Sequence, residues 1–369
     1  MDTDRRALVQ GLGAGLSAGA LGLGLSAAGS SALAQPARPP KAGRKMIVRA
    51  DDVGHSKVCN IGTFDAIDHG VVTTVAIMLD SPGTEDALER LRAYPWLPLD
   101  WHMHMWGAPV LGAARTPSLV EHGGPFDGRF RMDLARAPDV SFEEAVAELR
   151  AQLERCIKIV GRAPDTRGGS DDGTSPWARA ITQVGAEYGI VYNFAGSPPT
   201  DPVYQKHIND AQKAGEEWAK YYPAKPSPAV AADARWAGRK IYNLGGTTAY
   251  IDLLTDSISS VEKNYDAVKF YTEDRSGILK TPADWVTMQA WHPGYVDYYV
   301  YRLGERVNRA RAQQFVVGRT QDVAALSDPR LRAWIKANGI ELVSTRDALY
   351  GTREIQNRLE TIGSDLAFA

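Results

Sequence analysis

A chain of 369 residues with 44% apolar and 23% charged side chains has the composition of a globular protein, which excludes disordered, fibrous and collagen-like classes. Its formal charge is −2, from 42 basic and 44 acidic residues, so there is no electrostatic case for nucleic acid or an anionic membrane surface as partner. Cys59 and Cys156 are the two cysteines; without a Cys-x-x-Cys they make no thiolate metal site, and they read as buried free thiols in helices.

Residues 1–34 read as a targeting segment. Arg5-Arg6 precede a Leu/Ala/Gly run over 8–25, and Ser31-Ala32-Leu33-Ala34 supplies an Ala-x-Ala cleavage site. The paired arginines and weakly apolar run resemble a twin-arginine signal, so export to the periplasm with cleavage after Ala34 is expected. The glycines make the run a poor spanning helix, and no membrane attachment is expected of the mature form. Residues 35–44, rich in Pro, Ala and Gly, read as a linker, which leaves 45–369 as a single domain.

That domain begins with Met46-Ile47-Val48-Arg49-Ala50-Asp51-Asp52-Val53-Gly54-His55, an apolar run ending in two carboxylates. It predicts a buried parallel strand whose C-terminal tip carries chemistry. Neighbours on a strand face opposite ways, so Asp51 and Asp52 share one task only where the strand has ended. One could hold a metal while the other handles a proton. A helix follows over 60–69, a strand over 71–79, a helix over 84–94 and a strand over 97–105. This βαβαβ run predicts a parallel sheet. Residues 106–140 break into Gly, Pro and charge, at a length typical of binding loops or lids. Ser141-Phe142-Glu143-Glu144 is a capping box opening a helix through 160, with Ala145, Leu149, Leu153 and Ile157 as its stripe. A strand and loop over 163–172, a helix over 176–188 and a strand over 190–194 come next. A second irregular insertion over 197–239 precedes a strand at 241–245, a helix at 257–271 and a strand at 285–290. Helices at 301–315 and 329–338 and a strand at 340–344 close the chain. Seven or eight strands alternating with helices predict an α/β fold, a (β/α) barrel with two insertions.

Three further stretches carry chemistry. His102 and His104 are two apart, so on a strand they share a face and can converge on one ion, His102 being the better direct ligand. Asp171 and Asp172, after Asp165-Thr166-Arg167-Gly168-Gly169-Ser170, give a second acid pair at a strand end. His292, fixed by Pro293 and Gly294, sits after an apolar strand where a proton donor would stand.

Ala50-Asp51-Asp52-Val53-Gly54 resembles the opening of the YdjC/ChbG-type carbohydrate deacetylases, which include the hopanoid-associated enzymes. The likeness continues through Asn60-Ile61-Gly62, Gly70-Val71-Val72-Thr73-Thr74, the stretch from His102 to Trp106-Gly107-Ala108-Pro109-Val110, Gly161-Arg162-Ala163-Pro164 and His292-Pro293-Gly294-Tyr295. It implies a distorted, TIM-like (β/α) barrel and metal-dependent removal of acetyl groups from amino sugars. It implies Asp51 as general base, Asp52 and His102 as metal ligands, and His292 as acid. The family carries a histidine-rich run where this chain has Gly169-Ser170-Asp171-Asp172-Gly173, which makes Asp171 the candidate third ligand. Two acids and one histidine accept Mg²⁺ or Mn²⁺ beside Zn²⁺. His104, Asp172, Trp106, Arg167 and Tyr295 are candidates for supporting the ligands or touching substrate. The partner expected is an N-acetylated sugar or oligosaccharide. An exported sugar-binding protein on a degenerate fold, or a metal-dependent esterase or phosphoesterase, is the alternative.

Overall fold

The computed structural model describes residues 43–103, 107–168, 175–190, 241–243, 267–274, 278–280, 286–308 and 312–368. Its centre is β1 (Arg44–Val53), whose last eight residues are buried. Met46 and Val48 pack into the main core on one face and Ile47 into a second cluster with Met288, Val343 and Leu349 on the other, which is why the apolar run is continuous rather than alternating. One edge pairs with β6 (Val286–Trp291) from Lys45 to Ala50. The other edge is shared: β7 (Ile340–Leu342) pairs with Arg44 to Met46, and β2 (Thr74–Ile77) takes over from Arg49. With β3 (Leu99–His102), β4 (Thr166–Gly168) and β5 (Ile241–Asn243), seven strands, each pair parallel, run in the order β4-β3-β2-β1-β6-β5, with β7 beside β1. The expected α/β class with a parallel sheet is what the chain adopts. The expected strand at 190–194 beyond its first residue and the insertion at 197–239 lie outside the described residues, as do most of the expected helix at 257–271 and the segments 1–34 and 35–42.

The helices are α1 (Lys57–His69), α2 (Thr84–Leu91), α3 (Phe142–Val160), α4 (Pro176–Glu187), a short α5 (Lys269–Thr272), α6 (Tyr298–Asn308), α7 (Ala312–Leu326), α8 (Pro329–Ala337), α9 (Thr345–Tyr350) and α10 (Glu354–Thr361). The helix expected over 301–315 is in fact two. α6 and α7 pack closely at Gly304, where a Cβ would come within 3.2 Å of Ala312 Cα. The capping box at α3 is half made. Ser141 Oγ accepts from Glu144 N, but the Glu144 carboxylate turns to the backbone N–H and hydroxyl of Ser118, 2.8 Å each. Ser118 belongs to the 107–140 stretch, which is built into the body: Leu119, Val120, Phe130 and Leu134 are buried in the main core. Cys59 and Cys156 are both free and buried, as expected. Among the described residues no helix is long and apolar enough to cross a membrane.

Candidate active site

Asp52 has φ of +59°, a left-handed conformation uncommon for any residue but glycine, and the β1–β2 register slips between Ala50 and Val53. The strand does not end before the acid pair, as alternation requires if both are to act together. The backbone twists within it instead, and both carboxylates come to one imidazole. His102 Nε2 lies 3.2 Å from Asp52 Oδ1 and 3.8 Å from Asp51 Oδ2. Such a twist costs on the order of 1–3 kcal/mol and persists where the surroundings over-determine it.

The surroundings here are two buried guanidiniums. Arg49, two residues earlier on the same face of β1, donates from Nε and Nη2 to both oxygens of Asp51 at 2.5 and 2.7 Å. Its Nη1 donates to Asp100 Oδ2 at 2.8 Å, and Thr166 Oγ1 donates to the other Asp100 oxygen at 3.2 Å. Gly168 leaves room for this group, since a Cβ there would stand 2.9 Å from Asp100 Oδ2. Burial alone would raise the Asp51 carboxyl, but Arg49 and the two imidazoles hold it below its ordinary value, so it is ionised. Asp100 has the poorer share of Arg49, and burial pushes it up to about 6.

Arg319, on α7, donates to Asp52 Oδ2 and lies over the Phe315 ring at 4.5 Å. One turn on, Asp322 Oδ2 accepts from the backbone N–H of His292 at 2.9 Å. α7 therefore fixes both the metal-ligand candidate and the acid candidate. His292 Nε2 faces Asp51 Oδ2 at 4.0 Å, across from His102. Burial lowers the His292 pKa, and the two aspartates offset only part of that. For His102 the aspartates outweigh burial and its pKa is raised.

Asp51, Asp52, Asp100 and Asp322 are all buried against two buried cations, Arg49 and Arg319, which leaves two formal negative charges in excess. That excess suits a divalent cation. Two ligands each about 2.0–2.2 Å from one ion stand roughly 3.0–3.4 Å apart, so the 3.2 Å between Asp52 Oδ1 and His102 Nε2 fits a shared ion. Among the described residues no group of three such donors is present. Asp171, Asp172, His104 and Trp106 lie outside the described residues. Arg167 is buried on β4 but is not brought to this group; its side chain runs beside Gly185 of α4, where a Cβ would meet its Cδ at 3.5 Å. Tyr295 donates its hydroxyl to Asp65 of α1 at 2.8 Å.

The remaining motif residues hold the loops. Gly62 of α1 abuts the turn after His292, where a Cβ would stand 2.8 Å from Gly294 C and Tyr295 N, and Thr63 Oγ1 donates to Pro293 O at 2.7 Å. Asn60 accepts from Gly54 N and donates to Gly83 O, tying the loops after β1 and β2. Two buried carboxylates hold the loop after β3: Asp80 accepts from Gly107 N at 2.9 Å, and Glu148 accepts from Val110 N and Leu111 N. Burial pushes Asp80 up to about 6, its hydrogen bonds offsetting only part. A pKa raised on folding favours the fold below the unfolded value near 3.8 and loses that contribution as pH rises through 6. Wild type should therefore gain on the order of 2 kcal/mol over Asp80→Asn between pH 7 and pH 4 in urea melts; parallel pH curves for the two proteins would contradict this.

The chain is thus a parallel α/β protein whose acids and histidines converge where the central strands end. It belongs to the YdjC-like family, whose model matches residues 45–337. It is 37% identical over 119 residues to a chitooligosaccharide deacetylase of Serratia marcescens, covering 32% of this chain and 46% of that protein. It is 33% identical over 115 residues to a carbohydrate deacetylase of Halalkalibacterium halodurans, covering 31% and 48%. The matches thus span about half the length of these curated relatives. A crystal structure from Enterococcus faecalis V583, named for cellobiose-phosphate cleavage, superposes with a TM-score of 0.52 at 18% identity, covering 82% of this chain and 97% of that one, a likeness of fold.

Proposed function

We propose that the protein is a divalent-metal-dependent hydrolase that removes the acetyl group from an N-acetylated carbohydrate. The observation carrying this reading is the pairing of Asp52 and His102 at 3.2 Å beside an ionised Asp51. The family, and relatives named as deacetylases, support the substrate class. Mg²⁺, Zn²⁺ or Mn²⁺ held by Asp52 and His102, with Asp171 as third ligand, would polarise the acetyl carbonyl and make water more acidic. Asp51 takes the proton of the attacking water. His292, whose Nε2 faces Asp51 Oδ2 at 4.0 Å, would protonate the departing amine. Acetate release from N-acetylglucosamine oligomers should stop with chelator and return with added divalent cation. Release that ignores chelation counts against the metal.

The fold in this reading is a distorted barrel. Residues 1–34 are a twin-arginine signal cut after Ala34, and 45–369 are the periplasmic enzyme. Changing Arg5 and Arg6 together to lysine should leave uncleaved precursor in the cytoplasm; normal processing of that variant defeats the twin-arginine reading.

A further inference from the structure

Beside the His292 turn the chain exposes apolar side chains that the chemistry above does not use. Tyr298 is 75% exposed and Val296 64%, and Ile61 of α1 is 49% exposed. α1 begins after the C-terminal end of β1 and α6 after that of β6, so these segments start at the same end of the parallel sheet as the site. Gly62 against Gly294 and Tyr295 puts Ile61 next to the loop that carries Val296.

Tyr298 is exposed but rigidly mounted. Its ring is stacked on Tyr301 at 6.3 Å and 18°. Asp297 caps this first turn of α6, accepting from Val300 N at 3.0 Å, and Val300 is fully buried. Tyr299 is fixed by Arg129, whose Nη1 donates to its hydroxyl at 2.8 Å, and by the edge of His55. One flat ring on a fixed turn, rimmed by Val296, is far short of the roughly 1,000 Å² that a specific protein interface buries. It matches the apolar face of a single pyranose. Six residues separate His292 from Tyr298, at most ~22 Å of chain, so a sugar held at the site extends to it within a few rings.

We propose that Tyr298, backed by Tyr301, is a subsite for an uncharged sugar ring distant from the reacting N-acetyl group, so that the enzyme prefers oligosaccharides to single sugars. This rests on the deacetylase reading. The test compares kcat/KM for N-acetylglucosamine and its tetramer in wild type, Tyr298→Ala and Tyr298→Trp. Tyr298→Ala should cut the preference for the tetramer about five- to tenfold, through KM, and Tyr298→Trp should restore it. An unaltered preference in Tyr298→Ala, or no recovery with tryptophan, overturns the subsite. Should wild type release no acetate from either sugar, the deacetylase reading fails on its own. Calorimetric binding of the tetramer to Asp51→Asn, with and without Tyr298→Ala, then decides: weaker binding without the tyrosine supports the subsite, and equal binding overturns it.

Discussion

Replacing Asp51 with asparagine is expected to lower acetate release by about 10²–10⁴-fold, the range that a positioned general base contributes. The amide cannot take a proton from water, yet it fills nearly the same space. Arg49 keeps Asp100 as a partner at 2.8 Å, so the guanidinium is not left buried without an anion. Asp52 and His102 are untouched, so the proposed cation should bind the variant as it binds the wild type. The loss should fall on kcat, with metal content by elemental analysis unchanged. A rate within tenfold of wild type would falsify the assignment of the base.

Replacing Arg319 with leucine should have the largest effect on the fold. Arg319 and Asp52 are 1% and 2% exposed in their side chains, so the leucine leaves a buried carboxylate facing an apolar neighbour. Breaking such a pair from one side costs about 3–5 kcal/mol, most of it the uncompensated charge. Urea denaturation should show that loss in the metal-free protein, and adding Asp52→Asn should recover much of it. Divalent cation should stabilise Arg319→Leu more than it stabilises the double variant. Additive losses in the double variant would show that the two side chains do not act as a pair.

What the sequence made legible follows from what periodicity can record. The run from Met46 to Asp52 reads as a strand because both of its faces are covered, and the acids at its end are conspicuous after five mostly apolar residues. His102 and His292 stand out for the same reason. Arg319 and Asp322 were not found, because they occupy the buried face of α7 and interrupt the apolar stripe of Ala312, Val316 and Val323 that would have marked the helix past residue 315. α9 did carry a readable signal, since Ser344 and Asp347 make a full capping box. The approach of both Asp51 and Asp52 to His102 could not be read from the sequence, because it depends on one positive φ that no residue type announces. The expectation that neighbours diverge fails at that one residue.

The pairing of β1 has a bearing on synthesis. Its near partner, β2, is made about 25 residues later, but β6 and β7 emerge only after some 240 and 295 more residues. Until then a growing chain carries the edge from Lys45 to Ala50 bare beside fully apolar side chains, the kind of surface that recruits other strands. His292, Arg319 and Asp322 arrive in the same late portion. A chain stopped before residue 286 therefore lacks both the closing strands and the His292, Arg319 and Asp322 side of the buried charged group, and should be recovered as aggregate.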